Sequence, residues 1–108
     1  MCQIRVLSSK NQAVISHCIH CKMVLIWHHN VLLNFTPEEF LAFRNMVFKL
    51  DYYDCCVDFT DGEERAIIRT PNHDICFAFN YEEWVDLRGA IEEAVYMSEV
   101  YELMTSER

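Results

Sequence analysis

One segment of the sequence recurs 44 positions further along the chain, and this repeat limits the possible folds more than any other feature. Residues 35–44, FTPEEFLAFR, align with residues 79–88, FNYEEWVDLR, and share the Phe, both Glu and the final Arg. The match continues upstream, where VLLNF falls on ICFAF. Such self-similarity indicates a duplicated supersecondary unit. Both copies are therefore expected to form the same local structure.

Each copy predicts strands followed by one helix. Apolar residues alternate along 31–35 and 75–79, which is typical of strands with one buried face. Thr36 and Asn80 follow as N-caps, with Pro37 at a first helical position. Beyond the caps, apolar residues recur at spacings of three and four, as in amphipathic helices. Two further strands precede each pattern, so the unit is β-β-β-α.

We predict an α+β fold built as a tandem β-β-β-α repeat with pseudo-two-fold symmetry. The repeats cover about 13–50 and 53–94, a helical extension covers 95–105, and 1–108 is a single domain. An additional N-terminal strand is expected at 3–7. The predicted architecture is a mainly antiparallel six- or seven-stranded sheet with two helices.

Composition excludes several classes of function. The chain has 108 residues, of which 52% are hydrophobic, and a formal net charge of −8. This acidity opposes binding to nucleic acid or to an anionic membrane surface. No apolar stretch approaches the roughly 18 residues of a membrane span, and the N-terminus has no secretory pattern. We therefore expect a cytoplasmic protein whose six cysteines are reduced unless they hold a metal.

Two cysteines and four histidines crowd residues 17–30, HCIHCKMVLIWHHN. The repeat places the Asp61-Gly62 turn of the second copy on the segment SHCIHC, residues 16–21, so this CxxC lies at a predicted hairpin tip between strands at about 13–17 and 22–27. A CxxC in a tight hairpin has the form of a zinc knuckle, because the turn directs both thiolates at one tetrahedral position. The knuckle supplies only half of a structural site.

Strand pairing suggests the missing ligands. If Leu7 pairs with Ala13, the antiparallel register brings Cys2 opposite Cys18. The predicted zinc ligands are Cys18, Cys21 and Cys2, completed by His20 or His17. His28 and His29 lie at the far end of the next strand, roughly 20 Å from Cys21, and are not expected to join this site.

Other interpretations of the same residues remain open. Cys18 and Cys21 can be inert thiols, or a thiol-disulfide pair, although redox CxxC motifs usually open a helix. For His28, His29 and His73, turn or surface positions are favoured over a second metal or catalytic site. The Glu pairs at the helix starts are explained by the helix dipole.

Apolar surface in two places favours a homodimer. The helical extension is richer in apolar residues than an isolated tail requires. The strand that contains Val24 and Ile26 on one face also has Leu25 and Trp27 on the other. Symmetric dimers are the commonest oligomers. The alternative is that the extension folds back on its own sheet.

The segments CIHC, NVLLNFTPEEFLAF and FAFNYEEW resemble a family of small uncharacterised bacterial proteins, a domain of unknown function with an N-terminal CxxC. The resemblance covers about 16–94, and His28-His29 stand where that family has a Phe-Gly pair. It implies a fold grouping, and Cys18 and Cys21 are the functional residues it supports.

The predicted function is a non-enzymatic protein-interaction module, dimeric and cytoplasmic, with a structural zinc at the CxxC hairpin. The alternative is a redox protein or sensor that uses Cys18 and Cys21 as a reversible dithiol. No phosphate-binding loop or nucleophile motif indicates an active site.

Overall fold

The computed structural model describes residues 3–106 and contains seven strands, two α-helices and one short 3₁₀ helix. The strands of the first half are β1 (Ile4–Lys10), β2 (Ala13–Cys18), β3 (Val24–His28) and β4 (Val31–Phe35), followed by helix α1 (Pro37–Lys49). The second half contains the 3₁₀ helix (Tyr52–Cys55), β5 (Cys56–Asp58), β6 (Glu64–Arg69), β7 (Cys76–Phe79) and helix α2 (Tyr81–Ser106).

The fold is α+β, as predicted, but the strands form two antiparallel sheets. One has the order β1-β2-β3-β4 and the other β5-β6-β7. The prediction of a single sheet of six or seven strands was therefore wrong. The sequence predicts a strand at about 53–59, but its first residues lie in the 3₁₀ helix Tyr52–Cys55, which is capped by the Asp51 side chain, so the second half contributes less sheet.

The register of β1 on β2 also differs from the prediction. Lys10 pairs with Ala13 across a two-residue turn, and Ile4 lies opposite Cys18. A bulge at Leu7 interrupts the pairing between these ends. The longer turn inferred from the sequence was wrong because Asn11 adopts a left-handed φ of 52°, which permits a tighter turn.

Alternation along the strands gives the four-stranded sheet an inner and an outer face. The inner face is buried under the helices, and it is formed by Ala13, Ile15, His17, Val24, Ile26, His28, Leu33 and Phe35. The outer face includes Ile4, Val6, Val14, Leu25, Trp27 and Leu32. The core is therefore one-sided in this sheet.

Both predicted helix starts are confirmed. The Thr36 side chain accepts the Glu39 N–H and the Asn80 side chain accepts the Glu83 N–H, while each glutamate accepts the N–H of its cap residue. These reciprocal bonds form two capping boxes. The glutamates at the helix starts thus have the structural role that the sequence indicated.

Helix α2 supplies the largest share of the core. Its buried stripe packs mainly on β1 and β2, and its start lies against β7. The segment beyond Ala94 continues the same helix and lies against β1 of its own sheet. There the Arg5 guanidinium stacks 3.8 Å above the Tyr101 ring. Within residues 3–106, no helix has both the length and the apolar character that crossing a bilayer requires.

Tyr52 links the 3₁₀ helix to the core and makes the stability of the fold depend on pH in the alkaline range. Its hydroxyl donates to the Phe79 carbonyl at 3.3 Å. Burial, with a smaller contribution from Cys56, raises the pKa of Tyr52 to about 12. The unfolded tyrosine loses its proton near pH 10, so stability is complete below that pH and falls as the pH rises toward 12.

We expect this tyrosine to contribute roughly 2–3 kcal/mol of alkaline destabilisation. Urea unfolding of the natural protein and of Tyr52→Phe at about pH 9 and pH 12 measures it, because the variant has no hydroxyl to titrate. The variant should lose less stability between the two pH values. Equal losses in both proteins would show that Tyr52 is not the group responsible.

Candidate metal centre

The CxxC motif lies at the predicted hairpin tip, and the structure separates its two cysteines by environment. Cys18 ends β2 and is buried, whereas Cys21 is exposed in the turn before β3. The Cys21 N–H donates to the Cys18 Sγ at 3.5 Å. The chain thus bends back over the first thiol, as in a knuckle.

Among the residues that the structure describes, neither His17 nor His20 joins the two cysteines in a group that could hold one ion. His17 points to the inner face, while Cys18, its neighbour in the same strand, points to the outer face. His20 is exposed in the turn. Cys2 lies outside the described residues, so its part in the predicted site stays a prediction.

A different cluster of metal-binding side chains forms at the other end of the inner face. His28 ends β3, His29 begins the turn to β4, and Glu83 lies in the first turn of α2. One ligand atom from each lies within 4.8 Å of the other two. Among the residues that the structure describes, this is the group of at least three such side chains that can reach one ion.

Local conformation explains how adjacent histidines reach the same point. Neighbouring residues in a strand project to opposite faces, but His29 leaves the strand with a left-handed φ of 55°. This conformation brings the two imidazole centroids to 4.5 Å in an edge-to-face arrangement.

The distances are too long for hydrogen bonds. The Nε2 atoms of His28 and His29 lie 3.8 and 3.5 Å from the same oxygen, Oε2 of Glu83. Hydrogen bonds of this kind span about 2.7–3.2 Å. The three side chains converge on a point between them without bonding directly.

The surroundings fix the orientation of two of the ligands. The second oxygen of Glu83, Oε1, accepts the Asn80 N–H at 2.9 Å, which leaves Oε2 directed at the histidines. The His28 ring lies 4.5 Å from the Phe79 ring, centroid to centroid, and its side chain is only 7% exposed. Such supporting contacts orient metal ligands in known sites.

Electrostatics favours the neutral form of His28. Burial and the neighbouring His29 lower the pKa of His28, and the carboxylates of Glu83 and Asp86 oppose this shift. Metal ions bind the neutral imidazole. Two imidazoles and one carboxylate form a donor set that also occurs in zinc sites with one open position.

The sequence analysis missed this cluster because each member had a sufficient local explanation. The histidines were interpreted as turn residues and Glu83 as part of a helix start. The sequence contained one signal. His28 continues the alternation of Val24 and Ile26, which predicts that its polar side chain lies on the inner face with them. The approach of Glu83 depends on how α2 packs, which local patterns do not contain.

Comparison with known proteins identifies a family whose function is unknown. The sequence model described as "Family of unknown function (DUF6686)" matches residues 1–106. A search of curated proteins and a search of solved structures each found no match. The site must therefore be interpreted from its own geometry.

Proposed function

This chain belongs to the family of unknown function DUF6686, and for it we propose a zinc-binding, non-enzymatic interaction module of the cytoplasm. The zinc ligands are His28, His29 and Glu83. The observation that carries the proposal is the placement of both Nε2 atoms at 3.5–3.8 Å from one carboxylate oxygen.

The spacing of these atoms supports tetrahedral coordination. Ligand atoms about 2.0–2.1 Å from a tetrahedral zinc are separated from one another by about 3.4 Å. The distances from Glu83 Oε2 to His29 Nε2 and to His28 Nε2, 3.5 and 3.8 Å, exceed this value by a few tenths of an ångström. Small side-chain rotations complete the geometry without a backbone change.

Zinc in this position joins the two halves of the chain. His28 and His29 belong to the β3–β4 hairpin, whereas Glu83 belongs to α2. Because the unfolded chain has no preformed site, the binding free energy stabilises the packing of these elements. The fourth position faces solvent on the side of His29, whose side chain is 55% exposed. It can accept water or a donor atom from a partner.

Glu83→Gln is the most selective test of this proposal. Glutamine retains the carbonyl oxygen that accepts the Asn80 N–H and so preserves the capping box, but it removes the charged ligand. Loss of supporting contacts around a metal costs 10–100-fold in affinity, so loss of a direct ligand should weaken zinc binding by at least about 100-fold. Isothermal titration calorimetry with Zn²⁺ on untagged protein measures the change.

Glu39→Gln is the matched control, because Glu39 has the same capping role on α1. It should bind zinc like the natural protein. A second ligand variant, His29→Asn, keeps a residue that tolerates the left-handed backbone and should weaken zinc binding as Glu83→Gln does. Equal zinc affinity in the natural protein and both ligand variants would refute this site.

Cys21→Ser separates this site from the zinc knuckle predicted at the CxxC. Cobalt in place of zinc gives a thiolate charge-transfer band only if cysteine is a ligand. We expect cobalt spectra without that band, and unchanged zinc affinity in Cys21→Ser. A thiolate band that disappears in this variant would instead support the knuckle with Cys18. A reversible disulfide without metal binding would support the redox alternative.

The interaction role is supported by the outer face of the four-stranded sheet. Ile4, Val6, Trp27 and Leu32 are each more than half exposed there. Exposed apolar side chains gathered on one face of a sheet favour a contact with another protein. We propose that a second copy of the chain covers this face, and that the resulting homodimer presents the acidic surface of α2 to other protein partners.

Trp27 reports on this dimer. Its side chain is 52% exposed, whereas Trp84 is 4% exposed, so only Trp27 should change environment on association. Sedimentation equilibrium should give twice the chain mass, and dilution should shift the fluorescence emission to longer wavelength. Trp27→Ser should yield a monomer. A natural protein that stays monomeric at high concentration would refute the dimer.

A further inference from the structure

A cavity of about 530 Å³ lies at the end of the inner face opposite the metal cluster. Leu7 and Val24 form its floor, Phe40 and Leu41 of α1 form one wall, and Val95 lies on the α2 wall. Its volume falls within the range of small-molecule binding sites, about 300–1,000 Å³. It is separated from the metal cluster along the strands. Val24 lines the cavity and His28 belongs to the cluster, and these two residues of β3 lie four positions apart, a distance of roughly 13 Å.

His17 gives the apolar cavity a polar atom without a partner. The residue lines the cavity and is 8% exposed, yet its Nε2 makes no hydrogen bond to any group within residues 3–106. An unsatisfied polar atom inside a fold is costly and is rarely retained without a reason. A ligand atom in the cavity satisfies it.

The charges next to His17 are positive. Arg5 pairs directly with His17 in the neighbouring strand, and Lys22 follows in the turn; both line the cavity. Burial, together with these two cations, lowers the pKa of His17. Glu99 and Glu102 also line the cavity from α2, but the charges that act on His17 are those of Arg5 and Lys22. The polar end of the cavity near His17 is therefore suited to an anion.

We propose that this cavity binds a small organic acid, with its carboxylate at Arg5, Lys22 and His17 and its apolar body between Leu7 and Phe40. The guanidinium of Arg5 is already positioned by its contact with Tyr101. This site is independent of the proposed zinc site, so either can fail without the other.

Calorimetry with decanoate below its micellar concentration tests the proposal, and decanol is the matched neutral probe. We expect one decanoate per chain, bound at least tenfold more tightly than decanol. The imidazole nitrogen resonances of His17 should shift when decanoate is added. Equal affinity for both probes, or no binding of decanoate, would overturn the proposal.

Variants assign the two ends of the ligand. Arg5→Gln should weaken decanoate binding at least tenfold and leave decanol binding unchanged, while Arg69→Gln on β6 is the charge-matched control.

Leu41→Trp should block both probes, because Leu41 lines the cavity and is 51% exposed, so a larger side chain is accommodated in the fold. His17→Leu should raise the melting temperature of the ligand-free protein yet weaken decanoate binding. Decanoate binding unaffected by Arg5→Gln would contradict the assigned polar end.

Discussion

Replacing Phe79 by alanine is expected to lower the free energy of unfolding by about 3–5 kcal/mol. The side chain is 1% exposed and stacks on Phe77 with ring centroids 4.9 Å apart. Its backbone carbonyl also accepts the Tyr52 hydroxyl. Removing the ring leaves a cavity that the surrounding strands can only partly close. Urea unfolding should show a midpoint lower by about 2 M.

The same substitution is expected to weaken zinc binding, because the Phe79 ring supports His28. Phe79→Leu is the control that keeps most of the apolar volume, and it should reduce stability less than the alanine variant. Calorimetry with Zn²⁺ at a temperature where both variants are folded separates the two effects. A loss of less than about 1 kcal/mol in Phe79→Ala would contradict the packing described for this residue.

Local elements could be predicted from the sequence because their causes are local. Thr36 and Asn80 precede apolar periodicity and are followed three residues later by glutamate, which is sufficient to specify a helix start. The strand at 31–35 follows from alternation alone. These features depend on neighbours within a few positions, and the structure has them where the sequence indicated.

The arrangement of the strands depends on features that periodicity does not report. The inferred repeat aligns Phe35 with Phe79, but Phe35 pairs with Val24 whereas Phe79 pairs with Ala66. The two partner residues, Val24 and Ala66, are 42 positions apart in the sequence. The second hairpin is therefore displaced by two residues relative to the 44-residue offset. The bulge at Leu7 similarly altered the register of β1. One or two residues in a turn or bulge were enough to change the sheet.

The two candidate sites needed the packed structure for the same reason. The sequence drew attention to cysteines that are close together along the chain, whereas His28 and Glu83 come from the two different halves of the chain. His17 was considered as a zinc ligand, and its inner-face position became informative only when the cavity beside it was known. The inner face therefore has polar side chains at both ends, with apolar residues between them.

Leu87 gives the second large effect expected in the core. Its side chain is fully buried on α2, the helix that packs on β1, β2 and β7. Leu87→Ala should destabilise the protein by about 3–5 kcal/mol, because the cavity lies between a rigid helix and paired strands that resist collapse. Since small domains are stable by about 5–15 kcal/mol, this change is a large fraction of the total.

Val85→Ala, two residues earlier on the same helix, is the control. Val85 is 46% exposed, and alanine has the higher helix propensity, so the change should alter stability by less than about 1 kcal/mol. The contrast tests which side of α2 faces the sheets. Similar losses in both variants would mean that the helix is rotated from the orientation described, and the positions of Glu83 at the metal cluster and of Glu99 at the cavity would be wrong with it.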